Sequence, residues 1–301
     1  MNPDRPSPRT PLVLVIAALF AVYVIWGTTY FAIRVAVRGM DPYFLVGTRM
    51  CAAGALLLAW TRLRGRPLPG PRQWGGAFIV GSLLLVLGNG SVAVAERWVS
   101  SGATVALLSI VPLATAVWSG VFGEWPRRSE WLTIGLGALG AAVMLRGRDL
   151  TANTAGTFIL LGGATCWSLG TVLARRLAIA PGAAGFGSEM LCAGVVGFAV
   201  SAVRHEHWNL QLAPAVWGAW SYLVVFGSVI GFSAYRFIVE RLSSTLASTY
   251  AYVNPPVGLF TGWWLGGERF SPLLLIGLPV VLVAVGLQTW LHTRRPVRTA
   301  A

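Results

Sequence analysis

Apolar runs of near-spanning length recur along almost the whole of this 301-residue chain. They fall at 12–33, 42–60, 74–95, 101–122, 131–146, 155–174, 184–203, 214–236, 245–266 and 273–292. A helix needs about 20 predominantly apolar residues to cross the hydrocarbon of a bilayer. In that medium each backbone N–H and C=O has to be satisfied within the segment, which favours helices for such runs. The pattern predicts an all-α integral membrane protein with ten transmembrane helices and short polar connections. The first run is longer than the apolar core of a signal peptide and ends in "WGTTYFAIR", not in a small-residue cleavage site. A retained first helix is therefore expected.

Composition agrees. The chain is 55% hydrophobic and 11% charged, against about a quarter charged in soluble domains. The net charge of +13 comes from arginine alone, since the sequence contains no lysine. The arginines cluster between apolar runs, as topology signals do. The bilayer is thus the expected partner, and nucleic acid is not. Without lysine a Walker A loop is impossible, so the chain does not hydrolyse ATP through one. Ten spans put both termini on one side. With the termini in the cytoplasm, 15 arginines lie inside, 7 outside and Arg49 within a helix. The expected location is the plasma (inner) membrane, multi-pass, with N- and C-termini cytoplasmic. Cys51, Cys166 and Cys192 fall inside apolar runs without CxxC spacing and are expected to be small core residues.

The two halves of the chain match each other. "WGTTYFAIR" from Trp26 lies over "WSLGTVLARR" from Trp167, and "GTRMCAAG" (47–54) over "GSEMLCAG" (187–194). "AERWVSS" (95–101) lies over "VERLSS" (239–244), "VPLATAVWSGVFGE" (111–124) over "NPPVGLFTGWWLGGE" (254–268), and "TIGLG" (133–137) over "LIGLP" (275–279). The matches keep their order. Five helices per copy force the second copy to enter the membrane from the opposite side, so the expected architecture is two inverted five-helix repeats. Such repeats underlie many secondary transporters, whose halves exchange conformations around a site between them. The expected organisation is an N-terminal tail (1–11), a first repeat (12–148), a second repeat (149–292) and a C-terminal tail (293–301).

With these motifs the chain resembles the EamA-type drug/metabolite transporters over roughly residues 12–292. The resemblance implies a ten-helix exporter of amino acids, metabolites or drug-like compounds, with a cavity lined by helices one, three, four, six, eight and nine. It does not name a ligand. Glu189 stands in the second copy where the first has Arg49, so a role for that arginine does not transfer.

The repeat also selects candidate site residues. Pro112 aligns with Pro255, so both halves interrupt the same helix, and Pro256 has Leu113 as its counterpart. A proline inside a helix leaves a carbonyl without its donor. Matched helix breaks point to a substrate path, although a packing kink is the plainer account of any one proline. If the breaks are hinges, the double-proline helix should bend more easily. Trp26 and Trp167 are matched aromatics well inside helices. Thr29, Asn89, Tyr235, Tyr252 and Asn254 add polar groups at depth, and such a lining suits a small amphipathic or aromatic solute. Arg49 and Glu189 are ionisable groups at membrane depth and candidates for a charged gate or a coupling site. A fixed structural pair for Arg49 and a surface-reaching Glu189 are the plainer readings.

Other features are assigned to structure. Gly258, Gly262 and Gly266, matched by Thr115, Ser119 and Gly123, form a small-residue stripe for close packing, within the chain or between subunits of a homodimer. "GLGALG" (135–140) lies in a transmembrane run and is assigned to packing rather than to a dinucleotide. "HEH" (205–207) lies in a loop and is not a metal motif. No catalytic group, metal or cofactor is expected, and the partner is a small-molecule substrate. The Glu96-Arg97 and Glu240-Arg241 pairs end helices and are expected at the interface. The reading is a secondary exporter working by alternating access. An intramembrane enzyme acting on a lipid or isoprenoid-like substrate is the alternative.

Overall fold

The computed structural model describes residues 12–126, 128–241 and 250–293. All regular structure among them is helical. The elements are α1 (Leu12–Ala36), α2 (Pro42–Leu63), α3 (Pro71–Ala95), α4 (Ser101–Val121), α5 (Arg128–Leu145), a short α6 (Arg148–Thr151), α7 (Thr154–Leu173), α8 (Ala183–Val203), α9 (214–241), α10 (Tyr250–Gly266) and α11 (Pro272–Thr293).

Local sequence sets many of the starts. α2, α3, α9 and α11 open on Pro42, Pro71, Pro214 and Pro272. Proline suits the first helical position, where its fixed φ fits and its missing N–H has no partner to lose. Ser100 and Asn153 cap α4 and α7, accepting from Ala103 N at 3.2 Å and Gly156 N at 2.6 Å. These side chains satisfy donors that the first turn cannot.

Among the described residues, seven helices are long and apolar enough to cross a membrane: α1, α2, α3, α4, α7, α8 and α9. Sequence expectation was ten. α5 opens on Arg128 and Glu130, which dilute its apolar character. α10 has 17 residues and two internal prolines. α11 contributes the shorter apolar stretch Pro272–Leu287.

Packing is reciprocal. α2 lies along α8 and α5 along α11, while α1 packs on α10 and α9, and α7 on α4 and α3. Glycines permit the closest crossings. A Cβ on Gly54 would fall 2.6 Å from Leu191 N, and one on Gly194 at the same distance from Cys51 N. On the second pair, Gly140 and Gly277 each face the other's carbonyl oxygen. "GLGALG" is thus a packing surface at Gly137 and Gly140, while Gly135 faces open space. The Gly258–Gly266 stripe is also used inside the chain: Gly258 meets Val105, Gly262 meets Glu268 and Ser101, and Gly266 meets Phe31.

Candidate functional site

α3 and α9 carry a feature absent from the sequence reading. Each has a π-helical stretch in mid-course, Ser82–Asn89 in α3 and Leu223–Ile230 in α9. π-turns widen a helix and leave backbone groups for other partners, and they recur at functional sites. Here they stand at corresponding places in the two halves. Trp26 of α1 lies on the α9 turn, its indole N–H donating to Gly227 O at 3.3 Å. Trp167 of α7 lies against the α3 turn, where a Cβ on Gly88 would fall 2.9 Å from its ring.

Arg49 of α2 joins the two turns. Its Nε donates to Ser228 Oγ at 3.1 Å and its Nη1 to Asn89 Oδ1 at 3.2 Å. The side chain is buried, with only 4% of the residue exposed. A guanidinium out of water needs such partners, and its fork can hold two at once. Gly227 leaves room for it, since a Cβ there would meet Arg49 at 3.3 Å.

Between these helices lies a cavity of about 120 Å³. Trp26, Thr29, Arg49, Asn89, Pro112, Trp167, Asn254 and Pro255 all line it, as do Tyr30, Phe232 and Tyr250. Most sequence-selected residues therefore converge. Tyr235 stands behind the wall, its ring 5.1 Å from Trp26 and 5.6 Å from Tyr250. The side chain of Tyr252 lies outside the described residues. Asn254 is buried, and its amide, oriented to donate, reaches Tyr250 O at 3.2 Å and Tyr23 O at 3.3 Å. Walls of tryptophan and tyrosine with a few fixed polar anchors suit an amphipathic guest.

Glu189 is buried in α8 but does not line the cavity; its backbone abuts Gly81 of α3. Among the described residues Arg49 and Glu189 form no ion pair, Arg49 being engaged by Ser228 and Asn89.

The matched prolines behave unequally. α4 is interrupted at Ser109–Ile110 and restarts at Val111 with Pro112 in its first turn. Beside the break, the Val111 carbonyl accepts from Ser168 Oγ of α7 at 3.2 Å and from Thr115 Oγ1 at 2.8 Å, while the carbonyl that Pro112 leaves without its donor is that of Leu108. α10 runs on through Pro255 and Pro256. The interruption therefore falls in the single-proline helix, next to the Ser168 contact, and not in the double-proline one.

Two ion pairs bracket the cavity helices. Arg34 ends α1 and meets Glu268 at 3.4 Å; Arg176 follows α7 and meets Glu124 at 3.5 Å. Glu124 and Glu268 are aligned in the two halves, and Arg176 stands one place after Arg175, the residue aligned with Arg34. Glu268 also accepts from Ser101 N (2.9 Å), Ser101 Oγ (2.8 Å) and Gly102 N (3.0 Å), so it closes the start of α4. Only its alignment with Glu124 was visible in sequence. Glu96, expected at an interface, is 2% exposed.

Fold and site together define a multi-pass helical membrane protein built around a central, polar-anchored aromatic cavity. The sequence model of the EamA-like transporter family matches it twice, over residues 13–146 and 154–290, and the chain belongs to that family of membrane transporters. Among its relatives, the uncharacterized inner membrane transporter YedA of Escherichia coli (strain K12) is 40% identical over 93% of each chain. The S-adenosylmethionine/S-adenosylhomocysteine transporter of Chlamydia trachomatis serovar D is 27% identical over 90% of this chain and 88% of its own. A solved crystal structure, 17% identical, shares the fold with a TM-score of 0.65 over 93% of this chain and 99% of its own.

Proposed function

We propose that the protein exports small amphipathic metabolites, amino acids or drug-like compounds across the plasma (inner) membrane by alternating access. The working parts are two inverted five-helix repeats with both termini in the cytoplasm. Reciprocal packing supports the two-repeat reading: exchanging the halves turns the α1–α10 contact into α7–α4, and α1–α9 into α7–α3. The family match, which covers the chain in two stretches, supports it too.

The observation that carries the mechanism is the unequal burial of the matched ion pairs. Side chains of Arg34 and Glu268 are 28% and 4% exposed; those of Arg176 and Glu124 are 41% and 59% exposed. We take the buried pair as marking the closed end and the exposed pair as marking the open one. An inverted repeat lets the two ends exchange these states, moving a central site from one face to the other.

The cavity argues for the solute class. Trp26, Trp167 and Tyr250 offer aromatic faces, while Asn89, Arg49 and Asn254 offer fixed polar groups. The relative from Chlamydia trachomatis is named for S-adenosylmethionine and S-adenosylhomocysteine, which are amino acids carrying an aromatic base. The test is counterflow into proteoliposomes with a panel of amino acids, adenosyl amino acids and aromatic cations. At least one solute should exchange faster than in protein-free vesicles, and Trp26→Ala should slow it. Folded protein that moves no member of the panel would count against the carrier.

A further inference from the structure

At the shut end one arginine faces two carboxylates. Arg34 is taken by Glu268 and by Val99 O at 2.7 Å, and Glu268 is saturated by three further donors from Ser101 and Gly102. The second carboxylate, Glu96, is buried, and neither of its oxygens has a hydrogen-bond partner. Its backbone ends α3, with Glu96 N bonded to Val92 O. A helix C-terminus carries partial negative charge, which further disfavours an anion there. The charged and titratable groups within electrostatic reach are Glu268 and Arg34, and Tyr30, which lines the cavity. On the next position Arg97 is turned outward to Asp41 at 3.7 Å.

An ionised carboxylate in such a place would lack water, donors and a free cation, and a buried acid so placed neutralises instead. We propose that Glu96 is a proton-binding site whose protonation holds the Arg34–Glu268 end shut. The step is Glu96 carboxylic acid giving a carboxylate and a proton, the proton leaving to water. The new anion then competes with Glu268 for the Arg34 guanidinium. Drawing Arg34 away weakens the clasp on Ser101 and Gly102, and opening admits water to solvate the second carboxylate. Loading and opening thus exclude each other. Because Tyr30 belongs to both neighbourhoods, the proton sits beside the solute space. As a coupling site for transport this rests on the carrier reading; as a protonated buried acid it does not.

The test therefore uses no transported solute. Full-length protein in lipid nanodiscs is titrated in the infrared, where a protonated carboxyl has its own C=O band. Hydrogen-exchange protection of the Ser101 and Gly102 amides is followed alongside. Wild type should show the band and lose it as pH rises, with protection at Ser101 and Gly102 falling in parallel. Glu96→Gln should lose the band and keep that protection high at every pH, while Glu189→Gln should retain the band. Should Glu96→Gln fail to fold, Glu96→Asp should keep a pH-dependent band with a shifted midpoint. A band undiminished in Glu96→Gln, or a band absent from wild type and from Glu96→Asp, would overturn the proposal. So would protection that falls with pH as steeply in Glu96→Gln as in wild type. Intact infrared behaviour with no counterflow would remove the carrier and leave the site.

Discussion

The Arg34–Glu268 and Arg176–Glu124 ends are the same device in two environments. Both join an arginine at the end of a repeat's first helix to a glutamate after its partner's fourth. Each arginine also donates to a backbone carbonyl, Val99 O in one case and Phe122 O in the other. Yet Glu268 gathers three donors from the start of α4, while Glu124 stands in the open with Arg176. The matched counterpart of that start falls within 242–249, outside the described residues. The comparison teaches that sequence supplies the pair and burial supplies its strength. Exposed pairs are worth about 0–1 kcal/mol, whereas hydrogen bonds from neutral donors to a buried charge are worth about 1.5–3 kcal/mol each.

The largest effect should come from the residue that holds both halves at once. Arg49→Ala removes the tie between the Asn89 and Ser228 turns and leaves both side chains unpaired. A loss on the order of 4 kcal/mol is expected, read as a lowered unfolding midpoint in mild detergent. Arg49→Lys should recover only part of it, because an ammonium lacks the planar fork that serves two partners. Full recovery by lysine would mean that charge alone, and not the bridge between the π-turns, is what matters. Glu268→Ala comes next, at about 3 kcal/mol. It strands Ser101 N, Gly102 N and Arg34, and should raise labelling of a cysteine placed at Ser100 by an impermeant maleimide. Unchanged labelling would show that the end is held by something other than Glu268.

Sequence made much of this legible, and the limits are physical. The apolar runs gave the helices, because hydrocarbon leaves the backbone little choice. Duplication picked out Trp26, Trp167, Pro112 and Pro255, and charge at membrane depth picked out Arg49; all of them line one cavity. What it missed are consequences of packing. The π-turns follow from how Trp26 and Trp167 lie against α9 and α3, and no propensity encodes them. Asn89 and Ser228 both bind Arg49, yet they are 139 residues apart where the tryptophans are 141 apart, so the alignment does not register them. Glu96 looked interfacial because it follows an apolar run, and only the folded structure buries its side chain beside Arg34 and Glu268. The two proline sites are a second case: α4 is interrupted beside Pro112 while α10 runs on through Pro255 and Pro256, so proline number alone does not decide where a helix is interrupted.

Glycine contacts sharpen the comparison at a smaller scale. Gly140 and Gly135 lie in the same helix, but only the first touches α11. Gly140→Ala forces a methyl against Gly277 O and Val281, at about 1–3 kcal/mol. Gly135→Ala meets nothing and should gain up to about 1 kcal/mol of helix propensity. Equal effects on the unfolding midpoint would place both glycines at solvent or lipid and undo the α5–α11 contact.

The smallest effect is expected at the open end, and it is the one that separates a gate from ornament. Glu124→Ala removes a carboxylate that is mostly exposed and, among the described residues, touches one arginine. In this state its loss should change stability by less than about 0.5 kcal/mol. If the two ends exchange roles, Glu124 must bear the load that Glu268 bears here whenever the Arg34 end opens. Glu124→Ala should then leave the resting state alone and depopulate the opposite one. The consequence is visible in labelling at Ser100: opening of the Arg34 end, driven by Glu268→Ala, should be reduced when Glu124→Ala is added. Two independent locks would give simple addition of the single effects. A double variant that labels less than Glu268→Ala alone requires one equilibrium between two states, weighted by a pair at each end.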